Sequence, residues 1–168
     1  MSRNDPQLAG QVCLALVNEG PSHGWAISGH LAPGGDIGRI WTLSRPLTYR
    51  SLDQLLADGL IEKVGTAPGG GRSRTLLECT AEGRAVSHGW LDRPVELPRD
   101  VRTELLLKFA LRERAGLDPA ALAAAQREHF APMVESMAAD IDGDFVGRWR
   151  REHLLAIDRF LASFAEDH

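Results

Sequence analysis

A helix with its leucines on one side, a glycine stop and two short strands in immediate succession leave a chain few ways to fold, and Ser44 to Thr80 has this pattern. Ser44 is a good N-cap, its hydroxyl able to take a free backbone N–H, and Pro46 falls in the first turn, where a missing N–H costs little. Leu47, Leu52, Leu55 and Leu56 keep to one side of the predicted helix, which leaves Arg45, Thr48, Tyr49, Ser51 and Gln54 on the other flanks. Gly59 can adopt the left-handed conformation that ends a helix. An extended run from Leu60 to Val64 follows, broken by Pro68-Gly69-Gly70-Gly71 and resumed from Thr75 to Cys79. Arg72 and Arg74 make the turn between the strands cationic. The expectation is a helix that presents a polar face, followed by a wing.

Around this stretch, the sequence predicts an apolar helix from Leu8 to Val17 and a second, capped by Ser22, with Trp25, Ile27 and Leu31 on its apolar side. Ile37, Ile40 and Trp41 are read as anchors of the connection to Ser44, and Thr80 as the cap of a helix reaching Leu91. Pro94 and Pro98 mark residues 92–98 as a linker, so the chain divides into 1–91, 92–98 and 99–168. The last part reads as helical throughout, with a stop at Gly116, Asp118-Pro119 opening an alanine-rich helix, and Pro132 expected to kink or interrupt it. On the final helix Phe145, Trp149, Ile157, Phe160, Leu161 and Phe164 share a flank, an apolar stripe that requires a partner surface.

In their order and spacing, His23-Gly24-Trp25, Trp41, Tyr49 with Leu52 and Leu55, Asp58-Gly59-Leu60, and Gly71-Arg72 leading to Thr80-Ala81-Glu82-Gly83-Arg84 resemble the PadR-type transcriptional regulators, in particular the subgroup with a short C-terminal helical domain. Leu77 stands where that family usually has an aromatic. The likeness covers roughly the first ninety residues well and the rest only in its helical pattern. It implies a mainly α fold with a small β-wing, a winged helix-turn-helix followed by a C-terminal helical dimerisation domain. It further implies a homodimer paired through its C-terminal helices, a repressor bound to an inverted-repeat operator in double-stranded DNA, and release by a small aromatic or hydrophobic effector. The expected DNA contacts are Ser44, Arg45, Thr48, Tyr49, Arg50, Arg72 and Arg74. Met133, Met137, Phe145 and Trp149 are the candidates for an effector pocket, since Met adapts to varied shapes and Trp offers a flat face; ordinary dimer core is the competing account of the same residues.

The net charge of -4 does not oppose this reading, because residues 1–91 hold eight basic and eight acidic side chains and the whole deficit lies beyond them. Affinity for DNA would rest on local geometry and not on indiscriminate attraction. Chemistry of the catalytic kind is hard to find: the chain carries no P-loop, no Gly-x-Ser-x-Gly and no His-Glu-x-x-His. Neither His129 nor His153 has neighbours that complete a metal site, and Asp140, Asp142 and Asp144 fit a helix start better than a calcium loop, whose closing glutamate is here Arg151. No cofactor or metal is expected. Cys13 and Cys79 read as buried small hydrophobes, and no apolar run approaches the roughly 20 residues of a membrane span, so a cytoplasmic protein is expected. Two other readings remain: a winged-helix module that binds protein instead of DNA, and a small enzyme with a pocket in its helical part.

Overall fold

The computed structural model describes residues 5–68, 73–139 and 144–165. Helix α1 spans Pro6–Asn18 and starts where the Asp5 carboxylate accepts the N–H groups of Gln7 and Leu8. From Val12 to Val17 every residue of α1 is buried, so this helix is the centre around which the N-terminal half packs. Burying Leu8, Val12, Leu14, Leu16 and Val17 alone contributes on the order of 10 kcal/mol before chain entropy is set against it.

Helix α2 spans Gly24–His30, α3 spans Arg45–Ala57 and α4 spans Ala81–Asp92. The cap of α2 is His23 and not Ser22: its Nδ1 accepts the Ala26 N–H at 3.0 Å. Ser22 instead pairs with Leu77, exchanging backbone hydrogen bonds of 3.0 and 2.7 Å, and so lays the start of α2 beside the wing. The wing is the antiparallel pair β1, Ile61–Ala67, and β2, Arg74–Cys79, with Ile61 opposite Cys79 and an irregularity between Lys63 and Gly65. Gly59, at φ 70°, ends α3 as expected. Thr80 caps α4 through Gly83 N–H at 3.1 Å. A Cβ at position 83 would lie 1.9 Å from the Leu60 carbonyl oxygen, so the Thr-x-x-Gly spacing lets α4 start directly against β1. Ile37 and Trp41 are buried, anchoring the loop before α3.

Beyond α4 the backbone turns through residues 93–97 into α5, Pro98–Asp100, then a wide π-helical turn, Val101–Leu105, and α6, Leu106–Arg114. Helix α7 spans Pro119–Ala139 and runs on through Pro132, where the sequence predicts a kink or interruption. Helix α8, Phe145–Ser163, is capped by Asp144, whose carboxylate accepts the Gly147 N–H at 2.9 Å. Asp140 and Asp142 lie outside the described residues. The apolar stripe of α8 divides: Leu154, Ile157 and Leu161 are buried in a second core with Val101, Leu105, Phe109, Leu122 and Phe130, while Phe145 and Trp149 are 78% and 65% exposed. Leu107 and Leu111 of α6 belong to the first core, with α1.

Two buried polar side chains grip the chain between the halves, and a third ties the end of α4 to the start of α7. Gln126, fully buried, accepts the Val95 N–H at 2.7 Å and donates to the Val95 carbonyl at 3.0 Å. Lys108, also buried, donates to the Arg93 carbonyl at 2.7 Å and pairs with Glu104 at 2.9 Å. Burial pulls its ammonium below the ordinary lysine pKa, against the opposing pull of Glu104. Arg112 donates to the carbonyls of Asp118 and Leu91 and to the Asp92 carboxylate. Arg114 adds a surface tie, reaching Glu19 after α1 and Asp36 in the loop after α2.

Both cysteines are buried and unbonded to each other, and burial pushes their thiols up to about 12 for Cys13 and about 11 for Cys79. They should resist alkylation in the native protein at neutral pH and react on unfolding; rapid native labelling would contradict that burial. Gln126→Leu should destabilise the chain by about 2–6 kcal/mol, because two buried backbone groups each lose a partner at about 1–3 kcal/mol. Denaturant unfolding checks this, and a cost below roughly 1 kcal/mol would show that water replaces the clamp.

Candidate nucleic-acid interface

Helix α3 meets α2 on one flank and α1 on another, and its outward side carries the candidate contacts. Ser44 occupies the cap position, with φ -67° and ψ 150°, but its hydroxyl makes no capping hydrogen bond, contrary to the sequence expectation. Its carbonyl instead takes both the N–H and the hydroxyl of Thr48, at 2.9 and 3.1 Å. Thr48 is fully buried, not on an open flank as the helical spacing predicts. A threonine whose hydroxyl bonds the carbonyl one turn back has a satisfied polar group and a free methyl, so it packs as an apolar residue would. It cannot reach a ligand on the surface.

Arg45, Pro46, Tyr49 and Arg50 are exposed over the first turns of α3. Tyr49, 42% exposed, lies beside the start of α2. A Cβ on Gly24 would come within 2.8 Å of the Tyr49 ring, so the glycine of His23-Gly24-Trp25 makes room for this tyrosine. Arg50 borders a groove of about 610 Å³ between α1 and α3, with Gln54, Ser51 and Leu47 along the same edge. Asp53 is exposed one turn further along α3, which confines favourable contact with an anion to the helix's N-terminal turns.

Arg74 opens β2, and its guanidinium carbon sits 4.5 Å from the centroid of the Trp25 ring, with Nη1 3.4 Å from His23 Nε2. Trp25 is 51% exposed and does not supply the apolar side of α2 as the sequence implies; Ile27 and Ser28 face inward instead. Two residues before Ile27 on a helix is nearly the opposite face, so the spacing itself holds the signal. The structure thus leaves Ser44, Arg45, Tyr49 and Arg50 exposed at the start of α3, sets Tyr49 against Gly24, and lays Arg74 of the wing on Trp25, which the sequence alone assigns to packing, and beside His23. Arg72 lies outside the described residues.

Phe145, Trp149 and Met133 are open to solvent, Trp149 stacking on His153 at 5.2 Å, and Met137 packs against the second core. Clefts between the two halves have other walls. One of about 350 Å³ is lined by Arg39, Ile40, Leu106, Phe109, Phe160 and Phe164. Among the described residues, no three His, Cys, Asp or Glu side chains are grouped to hold a metal, and no helix is long and apolar enough to cross a membrane.

No family model matches the chain. A curated relative, the negative transcriptional regulator PadR of Bacillus subtilis (strain 168), is 26% identical over 95 residues, covering 56% of this chain and 51% of the relative. The chain thus spans about half the length of the curated relative it matches. Crystal structures of Bacillus subtilis PadR alone and with operator DNA each give a TM-score of 0.48 at 17% identity, covering 97% and 94% of this chain and 96% of theirs. The structure of that protein with p-coumaric acid gives 0.47 at 18% identity, covering 96% of each chain. The chain, a winged helix with a C-terminal helical arm, is thus similar in sequence over 95 residues to a negative transcriptional regulator.

Proposed function

We propose that this chain is a DNA-binding transcriptional regulator, a repressor that acts as a homodimer in the cytoplasm and has no catalytic activity of its own. One observation carries the reading: the N-terminal turns of α3 leave Arg45, Tyr49 and Arg50 exposed, and the Tyr49 ring lies against Gly24, next to the Trp25 that carries Arg74 of the wing. The sequence likeness to a negative regulator supports it. Helix α3 enters the major groove by its first turns, where Arg45 and Arg50 are placed to meet guanine edges or phosphates and Tyr49 to meet phosphate or a thymine methyl. The wing follows the neighbouring backbone, and Arg72, at its tip by sequence, extends that contact.

Residues 1–91 are the DNA-binding unit in this reading, 92–98 the joint and 99–168 the dimerisation unit. Phe145 and Trp149 are large apolar groups exposed toward the N-terminal end of α8, as expected of surface that a second copy covers. Pairing through α8 would set the separation of two α3 helices and so the spacing of an inverted-repeat operator. A small hydrophobic or aromatic effector would act from a cleft between the halves such as that walled by Phe109, Phe160 and Phe164, favouring a dimer geometry that mismatches the operator.

Selection of bound duplexes from a random library tests the reading directly and supplies the operator. On that operator, Arg45→Ala and Tyr49→Phe should each cost about 1–3 kcal/mol of specific binding with folding nearly unchanged. Unaltered affinity in both variants would overturn the role of α3. A dimer with no salt-sensitive retention on any duplex would favour a winged-helix protein-interaction module instead. Replacing Phe145 and Trp149 together by serine should move sedimentation from dimer to monomer while the circular dichroism of the helices persists; a variant that stays dimeric places the pairing surface elsewhere.

A further inference from the structure

We infer that His23, Trp25 and Arg74 form one phosphate-gripping unit that ties the start of α2 to the wing, with Trp25 as the shelf that holds the arginine in position. The inference rests on the DNA-binding reading above and adds to its Arg74 two residues, His23 and Trp25, that lie neither on α3 nor in the wing.

Trp25 is half exposed on a helix whose inward positions are taken by Ile27 and Ser28, so burial does not account for a large aromatic there. What its ring contacts is the Arg74 guanidinium, at 4.5 Å. A guanidinium laid on an indole face is held by cation–π attraction while its N–H edge stays free for an acceptor in its own plane, the geometry that suits a phosphate oxygen. Arg74 would otherwise swing on a long flexible stem at the mouth of a glycine-rich turn, and the entropy of fixing it would count against each phosphate contact.

His23 supplies a second donor. Its Nδ1 accepts the Ala26 N–H at 3.0 Å, which assigns the neutral ring's proton to Nε2. Arg74 Nη1 lies 3.4 Å from that Nε2. Two N–H donors cannot bond each other; an anionic oxygen accepting from both turns a repulsive contact into two charge-assisted or polar hydrogen bonds. The unit is continuous with α3, since Gly24, between His23 and Trp25, is the residue on which Tyr49 rests. The ligand this chemistry fits is a backbone phosphodiester of duplex DNA, bound without regard to base sequence, because every group involved is a cation or donor and none is placed in the manner of a base-reading pair.

The test is a salt titration of the full chain on its selected operator and on a scrambled duplex. Arg74→Ala should weaken both duplexes alike, on the order of 10-fold, and lower the log–log salt slope by about 0.9, the change expected when one phosphate is no longer neutralised. Trp25→Ala should weaken both alike, while Trp25→Phe, which keeps an aromatic face, retains most of the affinity. His23→Asn keeps a good helix cap and should still show a smaller, sequence-independent loss. The decisive result is the double variant: Trp25→Ala with Arg74→Ala should bind no worse than Arg74→Ala alone. Additive losses, losses confined to the operator, or a Trp25→Ala variant of wild-type affinity would each overturn the inference. So would a fall in melting temperature that accounts for the binding loss, since that would make Trp25 a brace of the fold. If Arg45→Ala weakens binding and these variants do not, this inference alone fails; if the wild-type chain binds no duplex in a salt-dependent way, the DNA-binding reading fails with it.

Discussion

The grip of Gln126 and Lys108 on the backbone between α4 and α5, with Arg112 tying the end of α4 to Asp118 ahead of α7, is the constraint on which the arrangement of the two halves depends. A connection that crosses between cores carries N–H and C=O groups that must be satisfied wherever water is excluded. Here side chains do it: the Gln126 amide matches both polar groups of Val95, Lys108 takes Arg93, and Arg112 takes Leu91 and Asp118. Burying an ammonium and a guanidinium is costly in itself, and replacing such groups by well-fitted apolar ones is often neutral or stabilising. Their use here is geometric. An apolar plug would let the connection settle in several registers, whereas donors and acceptors at fixed positions accept one.

Helix α6 and the turn before it show how one segment serves three neighbours. Val101, Leu105 and Phe109, spaced four apart, face the second core; Leu107 and Leu111 face α1 in the first; Glu104, Lys108 and Arg112 form a third stripe toward the connection. The winged helix and the helical arm are thus joined through side chains on adjacent faces of the same helix, and a rotation of that helix would disturb all three at once. The cation–π contact of Lys108 with Trp90, and the Trp90 Nε1 hydrogen bond to Glu104, carry the same stripe back onto α4.

Much of this is legible in the sequence where the signal is local. The leucine spacing of α3, the left-handed stop at Gly59, the Thr80 cap and the strand pair follow from period and turn chemistry, and each is found in place. What fails is the assumption that residue type fixes exposure. Thr48 is polar by type, yet it turns its hydroxyl onto the Ser44 carbonyl and packs; Trp25 is apolar by type, yet it lies at the surface under a guanidinium. Ser22 has the chemistry of a cap and is a strand partner instead, because Leu77, distant in sequence, competes for its backbone. The buried polar grip is invisible for the same reason: Gln126 and Lys108 sit in helical patterns that look like ordinary solvated faces, and only the tertiary path of residues 93–97 gives them partners.

That path also governs how a ligand could act on the proposed regulator. A molecule that binds two arrangements of the halves equally shifts neither, however tightly it binds. An effector in a cleft walled by Phe109 and Phe160 touches α6 on the face that belongs to the second core, one face away from the Lys108 and Arg112 stripe. Wedging that face apart would act on a helix whose other two faces are committed to α1 and to the connection. Because the polar grip accepts one register, α6 cannot yield by small degrees without breaking hydrogen bonds to buried carbonyls, so displacement becomes a choice between discrete arrangements. A joint of this kind, stiff and specific, can convert binding in a cleft into a change in the spacing of two distant helices; a flexible linker would absorb the same push and transmit nothing.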